Sequence, residues 1–418
     1  MTMAKDLGKN FSLLWAAQAV SLVGSEISAV AIPLFAIGML GFDAVELGTL
    51  LALQGIPPVL FGVFAGVWVD RVSQRRLLLA SDVLRAVLVA FIPLLYWADS
   101  LSTAALFLCT FLIASVTVFS DIAYWSFIPR IVPDQQLLAG NSRLSMSQSI
   151  ATTGGPGMAG AIASFIGPTM ALVVDAISYL VSFALTKGVS VKKADEPPVT
   201  HEPVLEALLS GLRFVFGNRK ILLLASGAAI WHLVYFSLLT MLFIYLTRDL
   251  TSPAYVVGIV LTCGGLGSLV GAIVISRVKV SIGRLFMLAA TLIGAQLPLV
   301  LIPVPYSEMW ISQVAVAIAL LLSGVSAAAH SILHITLRQE ETPRDLLGRM
   351  TSVVRLISWG AMPLGSLLGG MLLNYYSAVA AFQLNSLIGA GLTVIWLACL
   401  IPSLKRREMF ERSGEHSE

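Results

Sequence analysis

Carboxylate side chains stand inside long apolar stretches of this sequence, where an ionised group is costly. Glu26 lies near the middle of the first such stretch, and no basic residue flanks it. Burial away from water disfavours the charged carboxylate, so a buried Glu is suited to taking up and releasing a proton. Glu26 and Asp121 are therefore the predicted proton-coupling residues. For both, a carboxyl that only packs or pairs helices is the alternative.

Two further groups suggest the walls of a polar cavity. Trp231, His232 and Tyr235 are close in sequence, Trp359 lies at a similar depth in a later stretch, and Gln18 is assigned to the same cavity. Aromatic faces of this kind bind flat or cationic molecules, although ordinary packing is the competing interpretation.

The sequence offers little support for a metal site or a nucleotide-binding site. His330 and His334 have the i, i+4 spacing of a zinc pair, but no further ligand stands beside them, so a cavity-lining or packing role is expected. The three cysteines, Cys109, Cys263 and Cys399, are isolated. Because there is no phosphate-binding G-x-x-x-x-G-K-[ST] loop, we do not expect ATP coupling. No metal and no cofactor is expected.

The composition indicates that these residues lie in membrane-spanning segments. Of 418 residues 57% are hydrophobic and only 12% are charged, which excludes a soluble enzyme. The net charge of +3 is too small to indicate a nucleic-acid partner. The apolar stretches are too long for barrel strands, so helices must cross the bilayer. Twelve are predicted, at 11–40, 46–69, 77–97, 101–128, 139–165, 168–189, 220–247, 254–276, 283–303, 308–337, 346–373 and 377–403.

Basic residues set the predicted orientation. Nearly all of the 26 Lys and Arg residues fall in the loops of one side, while the loops of the other side hold only Arg248. By the positive-inside rule, both termini are expected in the cytoplasm of a multi-pass protein of the plasma, or bacterial inner, membrane.

The chain is predicted to consist of two related bundles. Their expected bounds are 1–190 and 220–403, with a linker at 191–219 and a tail at 404–418. Residues 204–216 form an amphipathic helix in that linker, interpreted as a tether or else as a partner-binding element. A shift of 210 residues places several glycines and prolines of the first half on those of the second half; the matched pairs include Gly48 with Gly258 and Gly160 with Gly370. We therefore expect an all-α protein of two six-helix, pseudo-symmetric bundles.

The loop after the second span carries a recognisable pattern. Gly66, Asp70, Arg71, Arg75 and Arg76 follow the spacing G-x-x-x-D-R-x-x-x-R-R. The pattern resembles the signature loop of the major facilitator superfamily, with Ser and Gln in place of a Gly and a basic residue. The resemblance implies that these residues form a conformational gating motif, in which Gly66 permits close helix packing and Asp70 faces a helix N-terminus.

Other segments resemble one branch of that superfamily, the drug:proton antiporters that include macrolide-efflux proteins and enterobactin-type siderophore exporters. These segments begin at Trp15, Asp82, Pro133 and Glu341. In the fifth span, Gly155, Pro156 and Gly160 are similar to the antiporter motif G-P-x-x-G-G. The fourth span departs from the pattern, because it lacks the Arg that many antiporters use in proton transfer. Asp82 and Arg85, three residues apart, are expected to pair as a structural element.

The resemblance implies a non-enzymatic secondary transporter, a monomer in the lipid bilayer, that exports amphipathic drugs, macrolides or siderophores in exchange for protons. An importer or lipid flippase of the same fold is the alternative. A non-transporting membrane sensor is a remote third interpretation.

Overall fold

The structure, a computed structural model, describes residues 7–190, 204–278, 283–302, 308–343 and 346–414. Its regular elements in these ranges are helical, as the sequence predicts. The helices are α1 Lys9–Met39, α2 Ala44–Asp70, α3 Gln74–Trp97, α4 Thr103–Ile131, α5 Leu137–Ile166, α6 Pro168–Lys187, α7 Val204–Gly217, α8 Arg219–Ile244, α9 Ala254–Arg277, α10 Arg284–Gln296, α11 Met309–Glu340, α12 Leu347–Tyr375 and α13 Ala378–Gly414.

Twelve of these helices, within the described residues, coincide with the twelve predicted spans, and α7 is the predicted amphipathic helix. Ten are long and apolar enough to cross a membrane. The first half of α5 is rich in Ser and other polar residues, and α5 is not among these ten helices. The ninth predicted span is interrupted: α10 ends at Gln296, and a 3-10 turn follows at Leu297–Leu301 because Pro298 has no N–H to continue the helix.

Local sequence explains several helix ends. Gly167 separates α5 from α6 with φ of 86°, a conformation that other residues rarely adopt, and Pro168 then opens α6. The Oγ of Ser102 accepts the backbone N–H of Ala105 at 3.2 Å and caps α4. The side chain of Asn218 caps α8 in the same way.

The described chain forms two compact units. The first comprises Met1–Asp43, Leu53–Val204 and Leu246–Thr262. In it, α1 packs against α5 and α6, and α3 packs against α4 and α6. One apolar core of this unit is built around Phe11, Tyr124 and Phe127.

The second unit comprises Ala44–Ala52, Leu205–Tyr245 and Cys263–Glu418. Here α8 packs against α12 and α13, and α10 packs against α11. Its apolar core includes Val215 of α7, so this helix packs against the bundle. Residues 191–203 of the predicted linker lie outside the described residues.

The units differ from the predicted domain bounds at two short segments, 44–52 and 246–262, each grouped with the other half of the sequence. The grouping of segment 44–52 with the second unit reflects close backbone packing at Gly48. A Cβ at Gly48 would lie 2.7 Å from the carbonyl oxygen of Ser366 on α12. In the first unit, the start of α9 crosses α5 at Gly258 and Gly160 in the same manner. Such close backbone approach is available only to the smallest residues.

These two crossings obey the 210-residue shift. Gly48 faces Gly370, and a Cβ there would lie 3.2 Å from the Cα of Gly370. Gly258 faces Gly160, and the corresponding distance is 3.0 Å. Adding 210 to position 48 gives Gly258, and subtracting 210 from position 370 gives Gly160. The weak sequence repeat therefore corresponds to a repeated helix contact, one copy in each unit.

Candidate functional site

Glu26 lies near the middle of α1, against α5. Gly155 makes room for it, because a Cβ at Gly155 would collide with the Cβ and Cγ of Glu26. The Glu26 side chain is partly buried, and within the described residues its carboxylate has no hydrogen bond or ion pair. The structure thus brings together Glu26 and the helix-5 glycine motif, which the sequence had not connected.

A cavity of about 110 Å³ in the first unit contains two of the predicted site residues, Gln18 and Asp121. Trp15 and Ser147 form part of its wall, and the Trp15 Nε1–H donates to the Ser147 Oγ at 2.8 Å. The cavity is lined by Trp15, Gln18, Ala19, Leu22, Asp121, Tyr124, Trp125, Leu144, Ser147 and Gln148. One carboxylate among indole rings and amides can bind a cationic or hydrogen-bond-donating group of a flat molecule.

Arg85 of α3 is a buried cation in the same unit, only 4% exposed. Its Nη2 donates to the Asp82 Oδ1 at 2.7 Å and to the Ser120 Oγ of α4 at 3.0 Å. The Asp82 Oδ2 accepts from Ser182 of α6 at 2.8 Å, and the guanidinium lies 4.4 Å from the ring centroid of Tyr179. The predicted Asp82–Arg85 pair is therefore present, and it ties together three helices.

Arg85 does more than the sequence indicated. It reaches α4 beside Asp121, the residue that directly follows Ser120. The fourth span has no basic residue of its own, and α3 supplies the buried positive charge in its place. The sequence does show Arg85 as a basic residue within an apolar span. Its i, i+3 pairing with Asp82, however, was a sufficient explanation for that position.

Asp175 of α6 is wholly buried and well satisfied. Its carboxylate accepts the Ser28 Oγ–H of α1, and it accepts the Ser178 Oγ–H at 3.1 Å. At the shifted position in the second unit, the Asn385 Nδ2 donates to the Val234 carbonyl at 3.3 Å. A hydrogen-bonded side chain therefore occupies both positions.

The aromatic residues predicted to line one cavity wall do not all lie together in the second unit. On α8, the rings of Trp231 and Tyr235 stack with centroids 5.0 Å apart. His232 points to another side of the helix, where its ring stacks with Phe236. On α12, the Trp359 ring lies 5.2 Å from the Arg355 guanidinium carbon. Trp231 with Tyr235 is the aromatic pair that the structure brings together.

His330 and His334 are buried on α11, with nearly parallel rings 6.3 Å apart. The His330 Nδ1–H donates to the Leu288 carbonyl at 3.2 Å. Both Nε2 atoms are buried without a hydrogen-bond partner among the described residues. Within that part of the chain, no group of three or more His, Cys, Asp and Glu side chains could hold a metal ion.

The gating-motif residues form the end of α2 and the start of α3. Arg71 and Arg76 are exposed, and the Arg75 Nη2 donates to the Lys187 carbonyl at the end of α6, 2.6 Å away. The expected close packing at Gly66 is not found, since no described atom lies within 4 Å of a Cβ placed there. That role belongs to Gly48 on the same helix.

Two further positions of this loop need separate mention. Gln74, which replaces a basic residue of the motif, is buried, and its Nε2–H donates to the Val69 carbonyl at 3.1 Å. The glutamine thus satisfies a carbonyl at the end of α2, which an exposed Arg would leave open. The side chain of Asp70 lies outside the described residues.

The helix-5 motif contacts two helices. Gly155 faces Glu26 of α1, whereas Gly160 and the Pro156 carbonyl face Gly258 at the start of α9. Pro156 and Gly160 thus lie in a close contact between α5 and α9, while Gly155 makes space for a carboxylate.

The family of this chain follows from a profile match. The profile of the transmembrane secretion effectors, a group of the major facilitator superfamily, matches residues 4–416. The chain belongs to this family. Its members and relatives are transporters, not enzymes, so this secretion-effector family member is a multi-pass membrane transporter with a small-molecule substrate.

Curated relatives of this family member are named as efflux proteins. It is 23% identical over 403 residues to macrolide efflux protein A of Streptococcus pyogenes, covering 94% of this chain and 95% of that protein. It is 26% identical over 375 residues to the multidrug efflux pump Tap of Mycolicibacterium fortuitum, covering 86% and 88%.

Solved structures confirm the major facilitator fold. A bacterial homologue of the iron transporter ferroportin matches with a TM-score of 0.73 at 17% identity, covering 94% of this chain and 99% of that chain. A bacterial homologue of the human lysosomal transporter Spinster matches with a TM-score of 0.75 at 15% identity, covering 94% and 97%. Likeness at this level of identity concerns the fold of the secretion-effector chain and leaves its substrate undefined.

Proposed function

We propose that this transporter is a proton-coupled exporter of amphipathic organic molecules in the bacterial inner membrane, with both termini in the cytoplasm. One observation carries the proposal: Glu26 is a carboxylate in mid-span with no partner among the described residues, whereas Asp82 and Asp175 are each satisfied. An unpaired carboxylate inside the membrane is costly unless it binds a proton or a cation in the transport cycle.

The cavity beside α1 supports the choice of substrate class. Asp121 and Gln18 offer polar contacts, and Trp15 and Trp125 offer apolar faces. A molecule with a cationic or hydroxyl-bearing head and a flat apolar body fits such a wall better than a small ion does. The names of the curated relatives favour macrolides and other drugs, and a siderophore is the third class to test.

Coupling is proposed to work through competition. Protonation of Glu26 neutralises it and favours one conformation of the alternating-access cycle, and substrate binding favours the deprotonated form. Asp121, beside the Arg85-bound Ser120, is the proposed second titrating residue.

The test is flux into inside-out vesicles with an acidic lumen. A macrolide, a lipophilic cation and a catecholate siderophore are offered separately. We expect accumulation of at least one of them, and collapse of that accumulation when a protonophore removes the gradient. Accumulation that persists after the gradient is removed would exclude proton coupling. Net movement out of the lumen would favour the importer or flippase alternative.

A further inference from the structure

A second cavity, separate from the proposed transport site, lies where α7 ends and α8 begins. Its volume is about 560 Å³, and it is open to the surface. Arg213, Arg219 and Lys220 contribute three cations to its lining, and Glu341 contributes one carboxylate. This side of the protein is the one that the basic residues mark as cytoplasmic.

The charges of this cavity do not cancel. The Lys220 Nζ donates to the two Glu341 oxygens at 2.9 and 3.2 Å, so that pair is neutral. Arg219 donates one N–H to the Cys399 carbonyl at 3.3 Å, and no carboxylate among the described residues pairs with its charge. The exposed side chain of Arg213 faces the cavity as a second cation. Within the part of the chain that the structure describes, two guanidinium groups therefore remain for an anion, and guanidinium suits phosphate geometry.

The cavity walls are firmly held. At Gly211, α7 approaches α12 so closely that a Cβ would lie 2.8 Å from the Arg349 carbonyl oxygen. Val215 is fully buried in the core of the second unit. The Asn218 Oδ1 accepts the backbone N–H groups of Lys220 and Ile221 at 3.1 and 3.3 Å, which fixes the first turn of α8. The basic groups thus project from fixed backbone.

An apolar stripe runs beside the charges on α7. Leu209 is 43% exposed and Phe216 is 61% exposed, seven residues apart on one helix face. Arg213 lies between them at i+4, on the same face. Since α8 is a candidate membrane span that starts at Arg219, we expect the end of α7 to lie near the headgroups of the bilayer. Apolar side chains around a cation are typical of helices that rest on a membrane surface.

We propose that this cavity binds the headgroup of an anionic phospholipid. Arg213 and Arg219 bind the phosphate, and Phe216 and Leu209 contact the acyl chains beside it. The shared chemistry with free phosphate is the guanidinium–phosphate contact, but the exposed apolar stripe favours a lipid as the occupant. This lipid site goes beyond the proposed transport function and does not depend on the substrate or on proton coupling.

The test is lipid binding to the purified full-length protein, measured by native mass spectrometry. Phosphatidylglycerol and phosphatidylcholine are titrated separately. We expect tighter retention of phosphatidylglycerol, and at least a tenfold loss of its affinity in Arg213→Gln/Arg219→Gln, given the usual contribution of each basic residue near an anionic membrane. The matched control Arg130→Gln/Arg277→Gln removes the same charge outside the cavity and should bind like the wild type.

A variant with the opposite sign strengthens the test. Glu341→Gln removes the cavity's carboxylate and frees Lys220, so phosphatidylglycerol should bind more tightly. Should the double Arg variant fail to fold, as judged by thermal unfolding and monodispersity, Arg213→Gln alone and Glu341→Gln still decide the question.

Three results would overturn the proposal. The first is equal binding of the two lipids by the wild type. The second is unchanged phosphatidylglycerol binding by the Arg variants. The third is complete displacement of the lipid by excess inorganic phosphate, which would identify a soluble anion as the occupant instead.

Discussion

The two units repeat the same helix crossings but not the same chemistry. The first unit holds Glu26, Asp121 and Asp175, together with the buried Asp82–Arg85 pair. In the second unit α8–α12 contain no Asp or Glu apart from Glu340 at the end of α11. Their buried polar groups include His330 and His334, and Asn385 of α13 stands where the first unit has Asp175.

The difference indicates a division of labour. The Gly48–Gly370 and Gly258–Gly160 crossings have remained equivalent, so the backbone plan is shared. The carboxylates have no counterparts among the helix interiors of α8–α12. We therefore propose that the first unit binds the coupling proton and that the second contributes neutral hydrogen-bonding and aromatic contacts.

The largest effect is expected at the buried pair of the first unit. Arg85→Gln leaves the Asp82 carboxylate buried without its cation, which should lower the free energy of unfolding by about 3–5 kcal/mol. Thermal unfolding in detergent measures the change. In the second unit, Arg355→Gln removes an exposed cation–π contact to Trp359, and it should cost only about 0.5–1 kcal/mol.

The double variant Asp82→Asn/Arg85→Gln provides the control for this first experiment, because it removes both charges together. It should recover much of the lost stability. Equal destabilisation by Arg85→Gln and Arg355→Gln would show that the buried pair has no special importance, and the contrast between the units would weaken.

The next-largest effect is expected at the glycine helix crossings that occur in both units. Gly160→Ala and Gly370→Ala each place a methyl group against backbone atoms of the crossing helix. Each should lower stability by about 1–3 kcal/mol, and by similar amounts, because the two contacts are related by the repeat. Gly154→Ala and Gly360→Ala, on the same two helices, are matched controls, since no described atom lies within 4 Å of their Cβ positions. A loss in only one of the two crossings would break the equivalence.

The sequence predicted the helices well because apolar length alone marks a membrane span. It also predicted the Asp82–Arg85 contact, which needs only the i, i+3 spacing. It could not predict that Arg85 reaches α4 or that Gly155 faces Glu26. In a soluble protein, hydrophobic periodicity identifies the buried face of a helix. In a membrane protein, the lipid is as apolar as the protein core, so the periodicity no longer distinguishes the lipid-facing side from the packed side.

A loss of proton-driven transport of about tenfold or more is expected when the Glu26 carboxylate is removed. Glu26→Gln keeps the size of the side chain and resembles its protonated form permanently. Proton-driven accumulation in inside-out vesicles should fall at least tenfold, equivalent to about 1.4 kcal/mol. Any residual flux should no longer respond to the pH gradient. Glu308→Gln, at the exposed start of α11, is the matched control and should transport normally.

This experiment separates coupling from folding. If Glu26→Gln unfolds at the wild-type temperature and still accumulates substrate at the wild-type rate, Glu26 only packs α1 against α5. Proton binding would then have to be sought at Asp121, for which Asp121→Asn in the same vesicles gives the answer.

The smallest effect is expected from the histidines of the second unit. His334→Gln removes a buried imidazole whose Nε2 has no partner among the described residues, so no hydrogen bond at that atom is lost. Proton-driven flux should change by less than about twofold, and stability by about 1 kcal/mol. His330→Gln should behave similarly, and zinc should not inhibit either variant or the wild type. A tenfold loss of gradient-driven flux in His334→Gln, with Glu26→Gln unaffected, would place the coupling proton in the second unit and reverse the assignment drawn from the comparison.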